Sequence, residues 1–206
     1  DRKSIISISG INKGDNIFKL NKEIVKNRIE ANPYIVVLSI TRKYPDEIII
    51  NVGERKPCAA IPYLGGYIIM DEKGYILSVE DQIDMDRYSI IDGMYVKSFA
   101  LGKKLVPGDN YQFKALIRLL EELSDQGILD KIGEIDLNNP DDIYIVTRNG
   151  LSVRIGQAID VSKKILWLKS DEFAKLDNEG LKGTLDITAP GKAIFMPEDK
   201  RGGLHE

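Results

Sequence analysis

The clearest pattern in the chain is a pair of alternating apolar runs on either side of a proline turn. Apolar and polar residues alternate from Ile35 to Lys43 and again from Glu47 to Glu54, which predicts two β-strands. Tyr44-Pro45-Asp46 separates the runs, and proline presets the backbone for a tight reversal. Pro57 ends the second run because it has no N–H for a further ladder bond. The pattern predicts a β-hairpin over residues 35–54.

The stretch before this hairpin predicts one strand and two helical segments. Ser4–Ser9 indicates a short strand, with Ile6 and Ile8 on one face. Asp15–Leu20 is expected to form one helical turn. Asn21 is expected to cap a longer helix that ends near Ala31, because asparagine accepts the free N–H groups of a first turn. We therefore expect a small unit of order β-α-α-β-β over residues 1–57.

After Pro57 the pattern changes to hairpins, each marked by its turn residues. Asp71–Gly74 and Asn149-Gly150 both offer glycine at a position that needs positive φ, and Asn-Gly is the strongest short hairpin signal. Ala189–Lys192 has Pro and Gly in the places that a type II turn requires. The three expected hairpins cover residues 67–78, 143–155 and 183–196.

Two helices are expected between these hairpins. Asn110–Gln126 repeats apolar residues at helical spacing, and a second helix is expected from Asp160 to about Leu176. Within the second helix we expect Lys163 and Lys164 to face solvent and Trp167 to pack in the core.

These elements predict an α+β fold with three regions. The small N-terminal unit comes first. A larger αβ domain with a mostly antiparallel sheet is expected over residues 58–197, and a flexible tail over residues 198–206.

Composition excludes several functional classes. The chain has 206 residues, 43% of them hydrophobic, and a net charge of -3 with no basic patch, which argues against nucleic-acid binding. The one histidine, His205, and the one cysteine, Cys58, leave no zinc ligand set and no nucleophile–histidine pair. No carboxylate pair stands out from the charged surface. We expect no enzymatic activity, no cofactor and no metal, and we interpret Cys58 as a small half-buried residue.

Membrane signals are absent from the sequence itself. The longest apolar runs are about five residues, far below the roughly 20 that a spanning helix needs. Because the chain begins with Asp1, we expect it to belong to a longer protein that carries a membrane anchor.

The end of the first hairpin is a candidate domain junction formed by Glu54, Arg55 and Pro57. Glu54 and Arg55 are neighbours on a strand, so they point to opposite faces. We interpret them as a stabilising cap where the two domains join, and a direct contact with a partner is the alternative.

The last strand is a candidate partner-binding edge, because no later strand follows to cover it. It is apolar between Lys192 and Pro197, which is unusual for a free edge and typical of one kept open for strand addition. The alternative is that Ile194 and Phe195 simply close the core. The predicted partner-binding residues are Lys192, Ala193, Ile194, Phe195 and Met196, with Thr184, Leu185 and Asp186 in support.

Six short motifs together resemble the extracytoplasmic part of the bacterial cell-division protein family FtsQ, called DivIB in Gram-positive bacteria. The most specific is Tyr44-Pro45 with Glu54-Arg55-Lys56-Pro57. The others are Ile6–Gly10, Asn16–Leu20 with Pro33-Tyr34-Ile35, Asp71–Gly74, Asn149-Gly150 with Ile155-Gly156, and Leu185-Asp186. One departure is Thr188, which stands where the family often has arginine.

This resemblance implies a POTRA domain followed by a β domain on a single-pass membrane protein. It implies a non-enzymatic scaffold of the divisome at the extracytoplasmic face of the cell membrane, at the division septum. The implied partners are FtsB/DivIC-type and FtsL-type proteins, with the septal peptidoglycan synthase as a further partner. The alternative is another POTRA-bearing protein, of outer-membrane assembly or secretion.

Overall fold

A computed structural model describes residues 2–198. The predicted tail at 198–206 lies outside the described residues, apart from Glu198. The helices are α1 Arg2–Ser9, α2 Lys22–Ile29, α3 Asn110–Asp125, α4 Val161–Ile165 and α5 Asp171–Asn178, with 3-10 turns at Leu129–Lys131 and Leu166–Lys169. The strands are β1 Ile35–Lys43, β2 Glu47–Glu54, β3 Ala59–Tyr63, β4 Gly66–Met70, β5 Ile76–Glu80, β6 Ser89–Asp92, β7 Val96–Ser98, β8 Val106–Pro107, β9 Ile132–Asp136, β10 Ile143–Thr147, β11 Ser152–Gly156, β12 Gly183–Asp186 and β13 Ile194–Pro197.

The N-terminal region consists of helices α1 and α2 packed on the predicted hairpin. Strands β1 and β2 pair antiparallel in a sheet of their own. Asn21 caps α2 as predicted, since its side chain accepts the N–H groups of Glu23 and Ile24. Val25 and Ile29 on α2 are buried against Val37 on β1 and form the centre of this small core.

The strand predicted at Ser4–Ser9 is wrong, because these residues form helix α1. Ile5 and Ser9 lie one helical turn apart, so a helix places both on its inner side. Ile5 packs against the core around α2, and Ser9 is buried with its hydroxyl donating to the carbonyl of Ile6 at 2.7 Å. The helical turn expected at Asp15–Leu20 is instead a turn closed by the N–H of Lys19 on the carbonyl of Asn16 at 3.1 Å, so the observed order is α-α-β-β.

The second region is built on a mixed sheet of nine strands in the order β13-β12-β11-β10-β9-β6-β3-β4-β5. The pairs β11–β12, β6–β9 and β3–β6 are parallel and the other neighbours are antiparallel, so the sheet is mostly antiparallel, as predicted. Helices α3, α4 and α5 pack on one face and enclose the main core. A small cluster around Tyr88 covers the other face near β3 and β4. The sheet is thus covered on one side, and on the other only at one end.

The single helix predicted from Asp160 to Leu176 is instead broken at Ser170. Ser170 ends the 3-10 turn and caps α5, because its hydroxyl accepts the N–H of Phe173. Asp160 precedes α4 with a φ of 51° and makes no side-chain cap bond. Trp167 is half-buried and packs edge-to-face on Phe173, with ring centroids 6.3 Å apart.

The expectation that Lys164 faces solvent is also wrong. Its side chain is buried, and its Nζ donates to the carbonyls of Ile155 at 3.0 Å and Gln157 at 2.8 Å. Burial lowers the pKa of Lys164, since a charged amine loses solvation there. Lys164 thus ties α4 to the end of β11, whereas Lys163 is exposed beside Asp160, as predicted.

Arg55 links the two sheets through a buried ion pair. Its Nη1 lies 3.0 Å from Oδ2 of Asp71, and the two side chains are only 7% and 2% exposed. The guanidinium also lies 3.6 Å from the ring centroid of Tyr75, where the face of the aromatic ring attracts the cation. Asp71 accepts the N–H groups of Lys73 and Tyr75 as well, so the pair fixes the β4–β5 turn.

Replacing Arg55 should destabilise the protein strongly. In Arg55→Ala the buried carboxylate of Asp71 loses its cation, and breaking such a pair costs about 3–5 kcal/mol. Urea denaturation at pH 7 should therefore show a clear drop in the free energy of unfolding. Lys56→Ala, the exposed neighbouring cation, should change it by less than about 0.5 kcal/mol. Equal stability of Arg55→Ala and the wild type would contradict this account.

Candidate partner-binding edge

Strand β13 ends the nine-stranded sheet and pairs only with β12. The edge position predicted for this strand is therefore confirmed within residues 2–198. Its bounds differ from the predicted Lys192–Met196, because the strand runs from Ile194 to Pro197 and both Lys192 and Ala193 precede it.

The turn between β12 and β13 has the predicted type II form. The N–H of Lys192 donates to the carbonyl of Ala189 at 3.1 Å, and Gly191 has a φ of +74°, which this turn requires at its third position. Gly183 allows the strands to approach, since a Cβ there would collide with the carbonyl oxygen of Met196. Local sequence thus brings β13 back antiparallel to β12.

The backbone of β13 offers alternate N–H groups to its open side. The N–H of Glu198 donates to the carbonyl of Lys182 at 3.1 Å, so it points toward the β12 side. Because N–H groups along a strand alternate between its two edges, those of Met196 and Ile194 also point toward β12. The N–H groups of Ala193 and Phe195 then point away from the sheet. Pro197 has none, which limits any added ladder to a short stretch.

The side chains of β13 divide between the two faces of the sheet. Phe195 is half-buried and packs with the buried Leu185 of β12 against the main core. Ile194 and Met196 are 63% and 45% exposed on the uncovered face, and Thr184 lies opposite Met196. Phe195 therefore helps to close the core, whereas Ile194 does not. Two exposed apolar side chains remain beside an open row of backbone groups.

A groove along the inner side of β13 is a feature that the sequence did not indicate. It has a volume of about 370 Å³ and lies between the edge strand and α5. Ala193 and Phe195 form one wall, Trp167 and Leu176 form the other, and Glu172 lies among the polar residues around it. The groove depends on the break at Ser170, which lies between Trp167 and α5. Periodicity alone could not have predicted it.

Asp186 is held in a charged network on the uncovered face. Arg154 of β11 contacts its Oδ2 at 3.2 Å and binds Asp142 through two bonds of 2.7 Å and 3.0 Å. The hydroxyl of Thr188 donates to the other oxygen of Asp186 at 2.7 Å. Burial favours a higher pKa for Asp186, but the bonds from Thr188 and Arg154 outweigh it and hold the pKa below its ordinary value. The network braces β12, the strand that carries β13.

The part of the chain that the structure describes shows no reactive thiol, metal-binding group or membrane-spanning helix. Burial raises the pKa of the Cys58 thiol well above its ordinary value, which disfavours the reactive thiolate. Among residues 2–198 no group of three or more acidic, cysteine or histidine side chains is arranged to hold a metal ion. No helix in that range is both long enough and apolar enough to cross a membrane.

The network around Asp186 predicts a specific pH dependence. A carboxyl whose pKa is lowered by folding stabilises the protein above its unfolded pKa of about 3.9, and that contribution is lost as the pH falls through the folded value. Asp186→Asn should therefore be less stable than the wild type at pH 7, and the difference should shrink below about pH 4. Urea midpoints from pH 7 to pH 3 measure this difference.

Asp81→Asn is the matched control, because Asp81 is exposed and no hydrogen bond or ion pair is found for its side chain within residues 2–198. Its midpoints should follow those of the wild type at each pH. A gap between Asp186→Asn and the wild type that stays constant down to pH 3 would contradict the assignment.

Comparison with known proteins matches nearly the whole chain. Residues 1–55 match the family model described as POTRA domain, FtsQ-type. Residues 60–186 match the model described as cell division protein FtsQ/DivIB, C-terminal. The second match ends with β12, so β13 lies beyond it.

Individual relatives agree with these matches. The chain is 29% identical to cell division protein DivIB of Clostridium tetani, over 95% of this chain and 74% of that protein. It is 30% identical to DivIB of Clostridium botulinum strain Hall, over 92% of this chain and 74% of the relative. The solved extracytoplasmic domain of DivIB from Geobacillus stearothermophilus gives a TM-score of 0.38 at 14% identity, covering 63% of this chain and 99% of that one. From the family models and the two Clostridium relatives, the chain belongs to the FtsQ/DivIB family of bacterial cell-division proteins.

Proposed function

We propose that this protein is a non-enzymatic scaffold of the bacterial divisome that binds FtsB/DivIC-type and FtsL-type partners and thereby organises septal peptidoglycan synthesis. The septal peptidoglycan synthase is a further proposed partner. The proposed location is the extracytoplasmic face of the cell membrane at the division septum. Family membership supports a role in cell division, and the relatives carry that name.

The partner is proposed to add a strand to the open side of β13. The observation that carries this proposal is the outward row of backbone groups at Ala193 and Phe195, next to the exposed Ile194 and Met196. Main-chain bonds in such an arrangement supply affinity, and alternate side chains supply selectivity. Lys192 and Pro197 flank the row and limit unwanted pairing.

The proposed site consists of the edge strand and its neighbour. Thr184, Leu185 and Asp186 hold β13 in place, and Leu185 also supports Phe195 from the core side. We propose further that residues 1–57 and 58–197 are separate folding units joined at Glu54, Arg55 and Pro57. The separate β1–β2 sheet supports that division, and the buried Arg55–Asp71 pair supports the position of the junction.

Proline substitution tests the edge directly. Ala193→Pro removes an outward N–H, so the Kd for a purified DivIC- or FtsB-type partner should rise about three- to tenfold, as expected for one lost main-chain bond. The melting temperature should change little, because this N–H makes no bond within the sheet. Isothermal titration calorimetry measures the Kd, and Ala193→Gly, which keeps the N–H, should bind nearly as the wild type does.

Ile194→Pro removes an N–H from the other side of the strand. Its N–H points toward β12, so the substitution should remove a ladder bond and lower the melting temperature. If both proline variants fold and both bind the partner with wild-type affinity, the docking site lies elsewhere.

A further inference from the structure

The outer face of α3 carries its charges in an order that opposes the helix dipole. Lys114 and Arg118 come first along the helix, and Glu121, Glu122 and Asp125 lie toward its carboxyl end. No acidic residue occupies the first turn and no basic residue occupies the last. Helices are stabilised by the reverse arrangement, with acidic residues at the start and basic residues at the end. Glu122 and Asp125 in the last turn therefore lower the stability of the helix, whereas Asp109 at its N-cap favours it.

The spacing of the same charges lowers the stability of α3 further. Lys114 and Arg118 are four residues apart, as are Glu121 and Asp125, and like charges at this spacing repel each other. None of these five charged side chains lies in an ion pair within residues 2–198. Arg118 donates only to the carbonyl of Ala158. The side chain of Asp109 caps the amino end of α3, and Arg118 lies four residues before Glu122, so part of this cost is offset. The acidic last turn and the two like-charge pairs have no ion-pair partner within residues 2–198.

These charges line a large open groove. Its volume is about 1040 Å³, and its walls are α3, the β4–β5 turn and the loop around Ile159. Phe113 and Ile117 form an apolar floor beside Gly74 of the turn. Tyr111 and Ile159 extend this apolar surface and are 53% and 55% exposed. An apolar floor is thus open to solvent beside a basic and then an acidic stretch of α3, and Glu72, Lys73 and Lys104 line the groove as well.

We propose that this groove binds an amphipathic helix of another protein. The occupant's apolar face lies on Phe113 and Ile117, with acidic residues in its amino-terminal half and basic residues in its carboxyl-terminal half. This is the ordinary charge order of a stable helix. Complementarity to α3 then requires the two helices to lie parallel, with like ends side by side.

Other occupants fit the groove less well. The backbone of a helix is already hydrogen-bonded internally, so α3 offers no edge to an added strand. A membrane surface rich in anionic lipids gains no net attraction, because the groove is lined by four basic residues and by four acidic ones. A helix about as long as the 16 residues of α3 can contact its basic stretch and its acidic stretch at once.

A charge exchange separates binding from stability. Lys114→Glu places a carboxylate four residues before Arg118, and Asp125→Lys places an amine four residues after Glu121. Both changes create favourable pairs, follow the dipole and together conserve net charge. The double variant should therefore melt at a higher temperature than the wild type while losing the partner helix. A lower melting temperature would mean that the native charges serve the fold, and would overturn the proposal.

Photo-crosslinking in dividing cells identifies the occupant. A benzoylphenylalanine at Ile159 of the full-length protein should form an adduct whose partner peptide lies in a helix with the stated charge order. The same probe at Leu64, which is 90% exposed outside the groove, should not form this adduct. In the Lys114→Glu/Asp125→Lys variant the adduct should fall by roughly tenfold.

A second charge exchange serves as the control. Lys97→Glu with Asp86→Lys also conserves net charge, and both residues are exposed outside the groove, so it should leave the adduct at the wild-type level. No adduct at Ile159, an adduct only to lipid or to a second copy of this chain, or an adduct unchanged in the Lys114→Glu/Asp125→Lys variant would overturn the proposal.

Discussion

The ion pair between Arg55 and Asp71 is the constraint on which the arrangement of the molecule depends. Two charges removed from water are stable only together, because the partner left alone would remain buried and uncompensated. Arg55 follows the last strand of the N-terminal sheet, and Asp71 begins the β4–β5 turn of the large sheet. Satisfying this pair fixes where one sheet lies against the other. Tyr75 stacks on the guanidinium and further restricts the position of the Arg55 side chain.

The large sheet combines a closed face with an unfinished edge. Helices α3, α4 and α5 cover one face, so the strands next to β13 are held firmly from that side. The network of Asp142, Arg154 and Asp186 braces the uncovered face. An edge strand on such a support can keep its outward N–H groups in a fixed line, which lowers the entropic cost of adding a partner strand. The helix packing and the charged network that make the sheet rigid therefore also hold its open edge in place.

Sequence reasoning succeeded where the structure is decided locally. The hairpins at 35–54 and 143–156 follow from period-two alternation and from turn residues, and helix α3 follows from its apolar spacing and from Asp109, whose side chain caps it. The type II turn before β13 likewise needs only Pro190 and Gly191. Such features are determined by neighbouring residues, so a single sequence is sufficient to predict them.

Sequence reasoning failed where contacts between residues far apart in the chain determine the structure. Ser4–Ser9 looks like a strand, but the packing of Ile5 on α2 makes it a helix. Lys164 looks like a surface residue until β11 supplies the carbonyls that its amine binds. The sequence indicates Asp71 only as a turn residue, because nothing nearby in the chain points to Arg55 as its partner. The groove beside Phe195 was missed for the same reason, since it forms between elements far apart in the chain.

The central claim is that β13 offers its outer backbone to a partner strand, and the exchange of single amide protons tests it most directly. In the free protein the N–H of Phe195 should exchange rapidly with solvent, whereas those of Ile194 and Met196, which face β12, should be protected. Addition of a saturating DivIC- or FtsB-type partner should slow exchange at Phe195 and leave the other two protected. If Phe195 still exchanges at its free rate in the saturated complex, the partner does not bind by adding a strand to this edge.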